Sequence, residues 1–246
     1  MPNVMSERPQ QLKPVTRMCG LRVIWSCRRL ATWLLAVGLP WLAVSGLFAQ
    51  DRAVISLPKP RTDGGKPLME ALKERKSTRE FAPHPLTEQQ LSDLLWAAFG
   101  VNRADGHRTA PSTMNLRCID LYVGTADGLF LFDADAHVLK PVLKDDIRAA
   151  TTGQAELREA PVALIFVADH ARMAKVALAE REFYAAADTG YVSQNVYLFC
   201  ASEGLATVVH AVNQPALAKA MKLGDDKKVI LAQSVGYPKT AESPSK

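Results

Sequence analysis

An α+β domain built around one central sheet is the fold class this sequence predicts. Three observations carry it. A capping box, Thr87-Glu88-Gln89-Gln90, opens a segment whose Leu91, Leu94, Leu95 and Ala98 fall on one helical face. Residues 161–168 form a short, fully apolar run, the pattern of a strand buried on both faces. Residues 170–204 read as helix with at most one break, and residues 191–201 are apolar nearly all round apart from Ser193, Gln194 and Asn195. That describes a helix at the centre of a protein or in a subunit interface.

The remaining elements follow in chain order. Residues 51–65 are rich in Pro and Gly (Leu57-Pro58-Lys59-Pro60, Asp63-Gly64-Gly65) and read as a linker. Pro67 suits the first turn of a helix carrying Leu68, Met69 and Leu72. That helix ends at a basic cluster. Pro83 and Pro85 impose an extended link, and Gly100 ends the capped helix. Residues 101–115 are polar and irregular. Residues 117–124 alternate as a strand, Asp127-Gly128 turns into a second at 129–132, and a third follows at 137–143. Residues 145–152 read as a short helix. Gly204 is a natural C-terminal cap, and strand 205–209, helix 215–222 and strand 228–235 complete the chain.

The chain has 246 residues, enough for one sizeable domain, here residues 66–246. Its +5 charge is misleading. Six of the Lys/Arg residues and only one acid, Glu7, fall in residues 1–50, which leaves the body with equal numbers of each sign. A neutral body offers no basic face for nucleic acid. The basic N-terminal segment reads as a targeting signal. Arg22, Arg28 and Arg29 precede an apolar run over residues 30–49 that ends in small residues. The run is also about long enough to cross a bilayer, which takes roughly 20 residues. Residues 1–50 are therefore a signal peptide or a membrane anchor, and the protein is expected to be exported to the periplasm or tethered at the inner membrane. The five His are isolated and no Cys/His group has metal-ligand spacing, so no metal site is expected. Cys118 and Cys200 sit in apolar contexts, and their pairing is left open.

The chemistry begins at Arg75-Lys76-Ser77-Thr78-Arg79, where three cations and two hydroxyls lie within five residues. A phosphate dianion takes several charge-assisted hydrogen bonds from such groups, each about 1.5–3 kcal/mol. A solvated basic turn is the alternative for this segment alone. Four further segments bear on it: Ala110-Pro111-Ser112-Thr113-Met114-Asn115, rich in small donors; Gly153-Gln154; residues 204–211, passing from helix to strand to loop; and Val235-Gly236-Tyr237-Pro238-Lys239.

Taken in order, these segments resemble the FMN-dependent nitroreductase family. The matches are Arg75-Lys76-Ser77-Thr78-Arg79-x-Phe81, Pro111-Ser112-x-x-Asn115, Ala160-Pro161 before an apolar strand, Gln194-Asn195 with Gly204-Leu205, and Gly236-Tyr237-Pro238. They run from about residue 66 to 239. The resemblance implies a nitroreductase-like fold: a central mixed, mainly antiparallel sheet, flanking helices and a long central helix. It also implies a homodimer with two FMN molecules at the interface. By position, Arg75, Lys76, Ser77 and Arg79 would hold the phosphate and ribityl chain, with Lys239 adding a phosphate contact. Pro111, Ser112, Thr113 and Asn115 would come from the partner subunit. Gln154 would meet the pyrimidine edge, and Ala211 would lie near flavin N5.

The implied activity is ping-pong hydride transfer through flavin N5. The donor is NAD(P)H or another reductant, and the acceptor is a small electron-poor molecule such as a nitroaromatic or quinone. No side chain need act as nucleophile, so no catalytic residue is named. His210 and Tyr184 are weighed as acceptor-side donors against plain structural roles. The other reading is a non-catalytic flavin-binding or interaction domain on the same fold. A narrower resemblance, to the azoline dehydrogenases, rests on Asp127 to Asp133 with His137, on Arg181-x-Phe183-Tyr184 and on Asp188-x-Gly190. That branch carries a Lys-Tyr pair where this chain has Ala177-Leu178, which points away from azoline chemistry.

Overall fold

The computed structural model describes residues 53–239; the expected leader over residues 1–50 lies outside the described residues. Seven strands form one sheet: β1 (Ile55–Ser56), β2 (Ile119–Thr125), β3 (Gly128–Asp133), β4 (Val138–Leu143), β5 (Val162–Asp169), β6 (Ala206–His210) and β7 (Lys227–Gly236). Their order is β1-β4-β3-β2-β5-β7-β6. Every pairing among them is antiparallel, so the antiparallel character expected from the resemblance is complete among the described strands. Strands β2, β3 and β4 form a meander through short turns, as hairpin-forming sequence requires.

Strand β5 shows why the core has two layers. Side chains alternate across a strand, so Leu164 and Phe166 join one cluster and Ile165 and Val167 the other. The first cluster is sealed by α2 (Glu88–Phe99) and α3 (Leu178–Glu203), through Leu94, Leu95, Val192 and Val196. The second is sealed by α4 (Gln214–Ala220), through Leu217. The helix α1 (Leu68–Glu74) lies against α3 and buries only Ala71. Among the described residues no helix is long and apolar enough to cross a membrane.

The capping box forms as its sequence predicts. The Thr87 side chain accepts from Gln90 N–H at 3.2 Å, and Thr87 N–H donates to Gln90 Oε1 at 3.1 Å. Thr87→Ala is expected to cost about 1 kcal/mol, read as a lowered urea midpoint at unchanged slope.

Two expectations change, and the structure locates the break that a third allowed. The helix at 145–152 is a 3-10 turn, Arg148–Thr151, because the Asp146 carboxylate takes the Arg148 N–H and competes with helical bonding. The long helical stretch breaks for the same reason. Asp169 accepts the Ala171 N–H, His170–Met173 forms a 3-10 turn, and α3 starts at Leu178. The linker at 51–65 is stitched to the domain within its described part. Ile55 and Ser56 pair with β4, Ser92 Oγ donates to Pro58 O, and Arg61 binds the buried Asp93 carboxylate.

Candidate functional site

Strand β6 lies at the edge of the sheet, and an edge strand leaves backbone groups unpaired. Residues 78–82 cover it. Thr78 N–H donates to Thr207 O at 2.9 Å, and two positions along the strand Val209 N–H donates to the Tyr197 hydroxyl at 3.0 Å. The same segment runs beside the end of β7: Ala82 N–H donates to Tyr237 O at 2.9 Å, and Lys239 N–H to Glu80 O at 3.2 Å. Phe81 is 1% exposed and packs on Leu157, Ala160, Ala206 and Val208, which pins the segment. Gly236 fits under this packing, since a Cβ there would lie 2.4 Å from the Pro161 ring and 3.2 Å from the Phe81 ring.

The result is a cleft of about 630 Å³, lined by Lys73, Lys76, Thr78, Tyr197, Gly204 and Lys239 among others. Arg75, the residue that ends α1, sets its guanidinium over the Tyr197 ring, 5.4 Å from the centroid, a cation–π contact. Ser77 Oγ lies 2.9 Å from the Tyr197 hydroxyl. The one acid on this wall, Glu74, is already paired with Lys66. The C-terminal end of α3 borders the cleft and carries partial negative charge; three lysines outweigh it. The arrangement is a small concave site with mobile ammonium donors, a hydroxyl and a guanidinium alongside, suited to a phosphate.

A second constellation lies about nine residues back along α3, roughly 13 Å of helix. Asp188 is 1% exposed. Its carboxylate accepts from Ser112 Oγ at 2.9 Å, Thr113 N–H at 3.0 Å, Thr113 Oγ at 3.0 Å and Cys118 Sγ at 3.5 Å. The hydroxyl protons of Ser112 and Thr113 are thus spent inside the chain, where the sequence suggested free donors. The clamp holds a tight loop in which Met114, Asn115 and Arg117 all have left-handed backbones, φ 47°, 53° and 48°, an uncommon state for residues with a Cβ. Pro111, Met114 and Asn115 are exposed. Burial, and then the Asp188 charge, push the Cys118 thiol up to about 12, so it is inert. Cys200 is buried too and both thiols are free. Twelve residues of α3 separate Cys200 from the Asp188 that touches Cys118, roughly 18 Å of helix, too far for a disulfide.

The comparisons with known proteins bear on the family. The description "Nitroreductase family" matches residues 72–237, a span that includes the cleft cations up to Lys76 and the whole Asp188 clamp. The chain belongs to the nitroreductase family. A protein of Ralstonia eutropha JMP134 of known crystal structure, assigned as a nitroreductase, is 44% identical with a TM-score of 0.75, over 78% of this chain and 92% of that one. A curated protein of Methanocaldococcus jannaschii, also assigned as a nitroreductase, is 33% identical over 152 residues, 57% of this chain and 76% of its own length. A chain of the E. coli microcin synthetase complex shares the fold at 18% identity, with a TM-score of 0.60 and 85% of each chain covered.

The activity class of this nitroreductase-family protein is oxidoreduction. Of the residues singled out in its sequence, Lys76 and Lys239 line the cleft, while Arg75 and Ser77 do not line it but contact Tyr197, which does. Arg79 is exposed and is not among the cleft's lining residues. Pro111, Ser112, Thr113 and Asn115 do not line the cleft of their own chain. Gln154 is exposed at the start of the 3-10 turn Ala155–Glu159, and Ala211 is exposed directly after β6. His210 is buried, with Nδ1 3.3 Å from Ala211 O and Nε2 3.1 Å from Ser234 Oγ. A carbonyl only accepts, so Nδ1 carries the proton and Nε2 accepts from Ser234. Burial lowers its pKa, and this neutral, fully bonded His210 is structural. Tyr184 is half-buried and packs edge-on against Phe183. The residue sequence reasoning missed is Tyr197. Its one signal was a polar tip inside an apolar helix, which needs a partner when buried.

Proposed function

We propose that this protein binds FMN with its phosphate in the cleft beside Lys76 and Lys239, and works as a flavin-dependent oxidoreductase on an electron-poor acceptor such as a nitroaromatic or quinone. The observation that carries this reading is the convergence of Lys76 and Lys239, from opposite ends of the domain, on one cleft, with Arg75 and Ser77 held against Tyr197 of its wall. The donor set fits a phosphate: Lys76 and Lys239 offset its charge, while Arg75 and Ser77 offer directional donors. When bound, FMN supplies a centre that takes a hydride from NAD(P)H or another reductant and passes it to the acceptor in a ping-pong cycle. The chain's own groups bind and orient; none is required as nucleophile.

A homodimer supports the second half of the site. The loop bearing Pro111, Ser112, Thr113 and Asn115 would serve the partner's cleft, since it lies away from its own. Leu68, Met69 and Leu72 on α1 and Phe183 and Tyr191 on α3 are exposed, an apolar surface suited to a second copy. With their protons given to Asp188, Ser112 and Thr113 would act there as acceptors, and Asn115 would supply the amide. Azoline dehydrogenation is not part of this reading, because Ala177 and the 79%-exposed Leu178 stand where that branch has Lys-Tyr. With residues 1–50 taken as an export signal, a periplasmic domain would need a reductant other than NAD(P)H. Taken as an anchor with the domain inside, it would not.

The absorption spectrum of the purified protein, freed of loose flavin, tests the proposal. Flavin bands at about one FMN per chain are the expected result. A colourless protein that takes up no added FMN overturns it.

A further inference from the structure

The Tyr197 hydroxyl is a junction with a fixed polarity. Tyr197 is 7% exposed, and two groups meet its oxygen: Val209 N–H at 3.0 Å and Ser77 Oγ at 2.9 Å. A backbone N–H only donates, so one lone pair of the phenol oxygen is taken by Val209. The phenol has a single proton. If Ser77 also donated to it, that proton would be left buried without an acceptor, an unfavourable state. Tyr197 therefore donates to Ser77 Oγ. The Ser77 proton is then turned away from Tyr197, and Ser77 is itself exposed beside Lys76 and Thr78 of the cleft wall.

From this we infer that Tyr197 is a positioning residue. It leaves the Ser77 proton free for an anion held beside Lys76 and Thr78, and so sets the preference for a phosphorylated flavin over an unphosphorylated one. The inference rests on the FMN reading above. A hydroxyl that already accepts one bond is a stronger donor for the next, and a donor aimed at an anionic oxygen gains about twice what it gains from a neutral one. Riboflavin has the same ring system and no phosphate, so it should be indifferent to the orientation of Ser77. The ring of Tyr197 has a separate task, since it supports Arg75 from below. Tyr197→Phe keeps that ring and removes only the hydroxyl.

The test is flavin-fluorescence quenching with FMN and, separately, riboflavin, on wild type, Tyr197→Phe, Ser77→Ala and the double variant. Tyr197→Phe is expected to weaken FMN binding about tenfold and to leave riboflavin binding unchanged. Ser77→Ala should give the same loss, and the double variant no more than Ser77→Ala alone, the mark of two groups acting as one. Equal weakening of both flavins by Tyr197→Phe would make Tyr197 a packing residue only and overturn the inference. Unchanged discrimination in Ser77→Ala overturns it as well, whether or not Tyr197→Phe folds. Wild type that discriminates FMN from riboflavin while the variants do so equally well sinks this inference alone. Wild type that binds neither flavin sinks the proposed function, and this inference with it.

Discussion

Asp188→Ala is expected to destabilise the domain by about 3 kcal/mol. The carboxylate is buried with no cation in its hydrogen-bond set; four donors do the work instead. Removing it strands the Ser112 and Thr113 hydroxyls and the Thr113 N–H in a site with no other acceptor among those bonds. Each stranded group costs about 1–3 kcal/mol, and recovered desolvation of the carboxylate offsets part of the sum. The loop adds to the loss. Its three left-handed non-glycine residues each carry about 1–2 kcal/mol of steric cost, which the clamp now opposes. Asp188→Asn should recover little, because its NH₂ would point a donor at donors. Urea unfolding with an unchanged slope checks both variants. A loss under about 1 kcal/mol for alanine would mean that the loop holds its shape without the clamp.

Lys76→Ala combined with Lys239→Ala is expected to weaken FMN binding by about 100-fold or more, which is two charge-assisted contacts at the low end of their range. Arg79→Ala should have a much smaller effect. Family resemblance groups Arg79 with the phosphate ligands, yet the folded chain leaves it exposed outside the cleft and brings Lys239 to the lining. Arg75→Ala belongs with the lysines, because the Tyr197 ring holds that guanidinium beside the site. All four side chains are surface cations, so the domain should stay folded, and circular dichroism would check that. Affinity would be read by quenching of FMN fluorescence at two salt concentrations. The lysine pair should also flatten the salt dependence, since screened charge is what it removes. An Arg79→Ala loss as large as that of the lysine pair would place the phosphate on the outer side of the cluster instead.

Local chemistry was legible in proportion to how local it is. The Thr87 capping box, the Gly204 cap at φ 70°, and the doubly buried β5 all read directly from sequence, because each depends on a few adjacent residues. The missing helix at 145–152 and the break before α3 share one cause. Asp146 and Asp169 bond the backbone two residues on, and an aspartate that does so looks the same in sequence as one that faces water. The stitched segment at 55–61 was read as linker because its side-chain partners, Ser92 and Asp93, are remote in the chain.

By itself the sequence determined the fold class and the family resemblance, and it supplied a list of candidate groups for a phosphate. These follow from periodicity, from caps and from an ordered set of short motifs, all carried by neighbours along the chain. Only the tertiary structure decided which of those groups share a site. Lys76 and Lys239 line the same cleft because residues 78–82 cover the open edge of β6 and run beside the end of β7. Ser112 and Thr113 turn inward because Asp188 lies on the facing turn of α3. A donor's direction depends on where its nearest acceptor sits, and that acceptor is supplied by residues more than seventy positions away.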